Sequence, residues 1–300
     1  MTASGGAVLR READGIAEVV LDRPDAMNAL NTATLMQLTA HFTAIVADPQ
    51  VRVVVLSSAV ERAFCVGADL KERAGMNDAQ IMAQRPVFRS AFGALLALPQ
   101  PAIAAVHGYA LGGGCELALS CDVIIADATA QLGLPEARVG LVPGCGGTQL
   151  LARRIGPGRA ADMIFSGRRA SADEAHAIGL ADRLVPAGSA RSTALDLAVQ
   201  IAANSPVAVR AAKQALRNGA GLNLAAALDV EDAAWRTAAS SADRREGIAA
   251  FAEKRRPVWS SHSPAAGQDQ PPHESAAAYD QPGRHASQAG GPEEGSDARV

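Results

Sequence analysis

PAIAAVHGYALGGGCELALSCD, residues 101–122, is the stretch whose reading decides the architecture of this 300-residue chain. Ala102 to Val106 has the length and composition of a short strand, Gly108 opens a turn, and an apolar helix runs through Leu117 to Leu119. Gly112, Gly113 and Gly114 stand between strand and helix. Each glycine costs about 0.5 to 1 kcal/mol of backbone entropy relative to alanine, so a close backbone approach is the natural reason for three in a row. The run is neither G-x-G-x-x-G, nor a phosphate loop with Lys-Ser/Thr, nor G-x-S-x-G, and none of these occurs elsewhere in the chain. Dinucleotide, nucleotide and serine-hydrolase readings lose their main support.

Two further segments belong with this one. Glu116 follows Gly113 by three residues, so a helix beginning at the glycines places its carboxylate beside the first-turn N–H groups. A carboxylate there also has a plain reading, a macrodipole partner contributing about 0.3 to 1 kcal/mol. LPEARVGLVPG, residues 134–144, puts a second glutamate, Glu136, on an apolar loop twenty residues later. Two carboxylates crowded into an apolar cleft would have one pKa raised, the pairing that acid and base chemistry needs. FCVGADLK, residues 64–71, is a glycine-containing turn from strand into helix whose N–H groups can face a ligand oxygen. The alternative for it is a turn in which Gly67 only supplies a backbone angle.

Outward from these segments the first half alternates strands and helices, an α/β pattern. Ile16 to Asp22, Val51 to Ser57 and Asp122 to Ala126 read as strands, and Leu35, Leu38, Phe42, Ile45 and Val46 as the apolar face of a helix. Residues 1–204 are expected to form the core domain. From Ser205 the strand signal stops, and Ser205-Pro206 is an N-cap with proline at the first helical position. Helices are predicted over Val207 to Leu216, Leu222 to Ala238 and Arg244 to Lys254, making 205–258 a helical region that needs a partner surface. Residues 259–300 read as a disordered tail: beyond Trp259 there is no Ile, Leu, Met or Phe to offset chain entropy.

A net charge of −3 and a longest basic cluster of only Lys254-Arg255-Arg256 argue against nucleic-acid binding. No apolar run is long enough for a membrane span, and residues 1–15 lack a signal peptide's apolar segment, so the expected location is the cytoplasm. Cys65, Cys115, Cys121 and Cys145 have neither C-x-x-C spacing nor a matching histidine cluster, and free thiols without a metal are expected. His107 closes an apolar strand and is expected to be satisfied by backbone.

NALN at residues 28–31, AFCVGADLKER at 63–73, PAIAAVHGYALGGGCELALSCD at 101–122 and LPEARVGLVPGCGGTQ at 134–149 together resemble the enoyl-CoA hydratase/isomerase, or crotonase, family. The resemblance covers roughly residues 15–257. It implies a spiral of ββα units followed by a C-terminal helical oligomerisation region that builds homotrimers, commonly paired into hexamers. It implies an oxyanion hole from the N–H groups of Ala68 and Gly113 around a thioester carbonyl. Glu116 would activate water for attack on the β carbon and Glu136 would protonate the α carbon of a 2-enoyl-CoA, although the two can exchange roles. Ala68, Asp69, Leu70, Lys71 and Gly113 match substrate-binding positions, and Phe251 with Lys254 matches a helical pair that meets the adenine and its phosphate. No cofactor is implied, coenzyme A being part of the substrate. GADLKERAGM is most similar to methylglutaconyl-CoA hydratases. Val66, where relatives carry Ala or Ser, and Met27, where many carry a basic residue, depart from the pattern. Isomerisation, with one glutamate shuttling a proton, is the alternative reaction. A noncatalytic acyl-CoA or RNA-binding paralogue is a further one, which the presence of both glutamates disfavours.

Overall fold

A computed structural model describes residues 7–11 and 13–259. The expectation for residues 260–300 lies outside the described residues.

The chain opens with β1 (Ala7–Arg11), β2 (Ile16–Leu21) and α1 (Thr32–Ala47), then enters its first repeat, β3 (Val53–Ser58), β4 (Ala63–Cys65), α2 (Leu70–Ala74) and α3 (Asp78–Leu96). The second repeat is β5 (Ala102–Val106), β6 (Tyr109–Leu111) and α4 (Gly113–Ser120). The third is β7 (Val123–Asp127), β8 (Gln131–Gly133), a 3-10 turn (Pro135–Val139), α5 (Gly147–Ile155) and α6 (Pro157–Ser166). β9 (Arg169–Ser171), α7 (Ala172–Ala177), β10 (Arg183–Val185) and α8 (Ala190–Ala202) complete the layers. α9 (Pro206–Gly219), α10 (Leu224–Ala239) and α11 (Ala242–Ala252) follow. In each repeat the first strand joins a six-stranded sheet ordered β1-β2-β3-β5-β7-β10 and the second joins a four-stranded sheet ordered β4-β6-β8-β9. β2-β3-β5-β7-β10 and β4-β6-β8 are parallel, and β1 and β9 are antiparallel edges. This is the ββα spiral that the resemblance implies.

Side chains alternate across the larger sheet as strand geometry requires. Val54, Leu56, Ala104 and Val106 face a core shared with α1, α3 and α4, while Val53, Val55, Ile103, Ala105 and Ile125 face α8. α8 was not legible in the sequence because its inner stripe is Ala190, Ala194, Ala198 and Ala202, which carries no large apolar periodicity. On α1, Leu35, Leu38, Phe42 and Ile45 are fully buried as expected, but Val46 is 50% exposed, one step off the inward stripe.

The four predicted strands are observed to within two residues as β2, β3, β5 and β7, and so are the starts of α9, α10 and α11; β1, β4, β6, β8, β9 and β10 were not predicted. α9 is pinned to the sheet layers by a polar cluster. Lys213, 7% exposed, donates to the Gln100 carbonyl at 2.6 Å and pairs with Asp122 at 2.8 Å. Arg217 pairs with the other Asp122 oxygen at 2.7 Å and also reaches the Leu96 and Ser120 carbonyls. Burial pulls the Lys213 pKa down and Asp122 opposes it. Asp122→Ala leaves a buried ammonium without its counterion, and we expect it to lower unfolding free energy by about 2 to 3 kcal/mol, discounted for the cluster's partial exposure. The check is a shift in urea midpoint at constant slope; an unchanged midpoint refutes it. Trp259, placed at the head of the tail in the sequence reading, instead donates its indole N–H to the Ala203 carbonyl at 2.7 Å, and its ring lies against Gly247. The folded body therefore reaches at least this residue.

Candidate active site

The three glycines at the start of α4 answer to three different neighbours. Gly112 adopts φ +53 and ψ −125, a region open only to glycine, and a methyl added to it would stand 3.2 Å from Glu136 Oε1. At Gly113 the nearest atoms would be Leu30 Cδ1 at 3.3 Å and Gly67 Cα at 3.5 Å, with the Ala68 nitrogen at 3.8 Å. At Gly114 it would fall 2.0 Å from the Cys65 carbonyl oxygen. The close approach expected from the sequence is thus between this helix start and the 65–68 segment.

That segment is oriented by residues far upstream. Leu30 N–H donates to the Gly67 carbonyl at 2.7 Å and the Leu30 carbonyl accepts from Asp69 at 3.0 Å, so the Ala68 N–H between them faces the other way. Neither Ala68 N–H nor Gly113 N–H has a hydrogen-bond partner among the described residues. They are neighbouring donors able to share one oxygen. Asn28, at φ +59, donates to Ser58 Oγ and the Phe64 carbonyl, and Arg23 joins the Ala29 carbonyl to Asp69 at 2.8 and 2.6 Å. The positioning by Arg23 and Asn28 was missed in the sequence, where only the NALN resemblance marked the place. The two departures from the family pattern meet here: Val66 N–H donates to the Met27 carbonyl at 3.3 Å.

Glu116 is 2% exposed, and its Oε1 accepts from Cys145 N–H at 2.6 Å and Gly147 N–H at 2.8 Å. Burial raises its pKa, and these two N–H groups and the charge of Arg85 oppose the rise. Glu136, on the 3-10 turn, is half-buried, with Oε2 enclosed and without a hydrogen-bond partner among the described residues. Burial chiefly, with the nearby charge of Glu116 adding to it, pushes its carboxyl up to about 7. One carboxylate is anchored; the other is poised near neutrality with a free oxygen. The amides of Cys145 and Gly147 were not singled out in the sequence, although PGCGG at 143–147 was the available signal. A methyl on Gly147 would lie 2.9 Å from Glu116 Oε1, which explains that glycine.

The remaining sequence candidates divide. Asp69 is turned inward: its carboxylate caps α2 through Lys71 and Glu72 N–H and pairs with Arg23. Burial works against its charge, but Arg23 and the two amides hold its pKa below the ordinary value. Leu70 is exposed, and Lys71 lines a cavity of about 560 Å³ with Arg23, Asn31, Asp69 and Glu72. Phe251 is 86% exposed and Lys254 lies just past α11 at φ +54; neither lines that cavity. A larger cavity of about 730 Å³, lined by Ser58, Arg62, His107 and Asp127 among others, opens at the carboxyl ends of β3, β5 and β7 and contains neither glutamate. His107 bonds the Val60 carbonyl at 2.9 Å, the backbone partner expected. The four cysteines are free, and burial pushes the Cys65, Cys121 and Cys145 thiols up to about 12. Among the described residues no cluster of three His, Cys, Asp or Glu groups could hold a metal, and no helix is long and apolar enough to cross a membrane.

The family model described as enoyl-CoA hydratase/isomerase matches residues 11–262. The chain is 40% identical over 241 residues to a short-chain-enoyl-CoA hydratase of Clostridium acetobutylicum, covering 80% of this chain and 92% of that protein. It is 40% identical over 255 residues to a mitochondrial methylglutaconyl-CoA hydratase of Mus musculus, covering 84% of this chain and 81% of the relative. The crystal structure of an enoyl-CoA hydratase from Bacillus anthracis superposes with a TM-score of 0.83 at 42% identity, over 86% of this chain and all of that one.

Proposed function

The chain belongs to the enoyl-CoA hydratase/isomerase family, and from that premise we propose that it hydrates 2-enoyl-CoA thioesters to 3-hydroxyacyl-CoA by syn addition. The observation that carries this reading is the unlike pair of carboxylates, Glu116 anchored by two backbone N–H groups and Glu136 with an oxygen unpartnered among the described residues and a pKa pushed up to about 7.

With the thioester carbonyl between Ala68 and Gly113 N–H, a water between the glutamates faces the β carbon. The Glu116 carboxylate takes a proton from that water while the water oxygen bonds to the β carbon, and the π electrons move toward the carbonyl oxygen, where the two amides bear the enolate charge. Collapse of the enolate takes a proton from Glu136 onto the α carbon. Proton return from Glu116 to Glu136 restores the starting state. An isomerase would need only one of the groups, so the pair favours hydration. Lys71 and Arg23, lining one cavity beside the Ala68 segment, offer cations to the phosphates of coenzyme A. Incubation with crotonyl-CoA and with methylglutaconyl-CoA, followed by loss of enoyl absorbance, tests the reading; retention of both absorbances refutes it.

Activity should follow a bell in pH. Glu136 must hold a proton, and with its pKa raised to about 7 the rate is expected to fall as pH rises through 7 to 8. Protonation of Glu116 sets the acid limb. A pH profile of kcat/KM flat from 6 to 9 excludes Glu136 as the acid.

We also read the C-terminal helices as the surface of self-association into trimers or hexamers. Among the described residues α10 buries none, and Leu216, Leu224, Leu228, Trp235, Ile248 and Phe251 are exposed across α9 to α11. So many large apolar side chains on one helical region are characteristic of an interface. Sedimentation at micromolar concentration should show a trimer or hexamer, and a monomer would contradict this.

A further inference from the structure

Arg85 lies on α3, outside every motif used above, yet its side chain meets the loop that holds Glu116. Its Nη2 donates to the Gly144 carbonyl and its Nη1 lies 3.9 Å from Cys145 Sγ. A methyl built on Gly144 would stand 2.8 Å from Nη1 and 3.3 Å from Cζ, so the guanidinium occupies the space that a side chain at 144 would need. The Gly144 carbonyl and the Cys145 N–H belong to one peptide unit. Arg85 therefore grips the oxygen of the same planar group whose N–H donates to Glu116 Oε1 at 2.6 Å.

A peptide bounded on one side by glycine rotates at little steric cost, and rotation would carry the N–H away from Glu116. Because the unit is planar, holding its oxygen holds its N–H. A cation on the oxygen also polarises the amide and strengthens its donation. We propose that Arg85 is a positioning residue for the hydration reaction, holding the Gly144–Cys145 peptide so that its N–H stays on Glu116. The inference rests on Glu116 acting as the base. Besides Arg85, the titratable groups around Glu116 are Glu136 from the 3-10 turn, Cys145 from the loop and Cys115 from its own helix, with Arg154 of α5 acting on Cys115. The charge of Arg85 favours the Glu116 carboxylate. Its loss therefore raises the Glu116 pKa further and moves the acid limb of activity to higher pH.

The test uses the full chain and four variants, Arg85→Gln, Arg85→Lys, Gly144→Ala and the Arg85→Gln/Gly144→Ala double, each first shown to melt like wild type. Arg85→Gln should lower kcat for crotonyl-CoA hydration by about 10- to 150-fold, the range for losing one charge-assisted hydrogen bond, with KM within about twofold. Its acid limb should shift upward, and Arg85→Lys should recover most of both effects. Gly144→Ala should reproduce the Arg85→Gln phenotype by displacing the guanidinium, and the double variant should be no worse than either single one. Unchanged kcat and acid limb, a raised KM at constant kcat, or a lower kcat with an unmoved limb would each overturn the proposal. A second measurement needs no turnover: the Glu116 titration, followed by carbon-13 NMR of labelled carboxyl groups and assigned with Glu116→Gln, should move upward in Arg85→Gln. If wild type hydrates no enoyl-CoA but this midpoint moves, the functional reading fails and the positioning role stands. A static midpoint sinks the positioning role.

Discussion

Glu116→Gln and Glu136→Gln are each expected to lower turnover of a short 2-enoyl-CoA by about 10² to 10⁴. Glutamine keeps the shape but neither accepts the water's proton in place of Glu116 nor delivers one in place of Glu136. Glu116→Gln should also keep its Oε1 acceptor for Cys145 and Gly147 N–H, so the 143–147 loop has no reason to move. Thioester affinity should survive in both variants, because the proposed carbonyl donors are the backbone amides of Ala68 and Gly113, which the substitutions leave in place. In the proposed mechanism both groups act on one water and one transition state, so the double variant should fall well short of the product of the two losses. Stopped-flow turnover and calorimetric binding of a nonreactive acyl-CoA check the two halves separately. Wild-type hydration in either single variant would end the two-carboxylate mechanism for this protein.

Gly114→Ala is the second large effect, and it tests the scaffold instead of the chemistry. Its new methyl would lie 2.0 Å from the Cys65 carbonyl oxygen and 2.8 Å from Cys65 Cβ, so α4 and β4 must part. Overpacking of this kind costs about 3 kcal/mol. The separation also pulls Gly113 N–H away from Ala68 N–H, and a misplacement of about 1 Å costs on the order of 10² in rate. We expect a melting temperature lower by several degrees together with a hundredfold fall in kcat/KM. Gly93, with no atom within 4 Å of an added methyl, gives the contrasting substitution: Gly93→Ala on α3 should leave activity unchanged and raise stability slightly. Normal turnover in Gly114→Ala would show that the helix start does not set the oxyanion geometry.

What could be read along the chain was what neighbouring residues encode. The apolar stripe Leu35, Leu38, Phe42 and Ile45, the Ser205-Pro206 start of α9 and the strand–glycine–helix order of residues 101–122 all depend on contacts within a few residues, and the structure has them where expected. α8 escaped because alanines buried against a sheet leave no periodic signal, and Trp259 because a single indole bond to Ala203 has no sequence precursor.

By itself, the sequence determined the α/β alternation, the helix that begins on three glycines, and the presence of two glutamates on suitably apolar segments. Only the tertiary structure decided which of those glutamates is anchored. Cys145 and Gly147 lie 29 and 31 residues from Glu116, Arg23 lies 46 from Asp69, and no local propensity reports on such pairs. Their meeting depends on where the spiral places one repeat against the next, which also decides that two N–H groups and the Arg85 charge oppose burial at Glu116 while the Glu116 charge adds to burial at Glu136. The unequal character of Glu116 and Glu136, one tied to two amides and one with an oxygen that has no partner among the described residues, is therefore a property of packing and not of residue type.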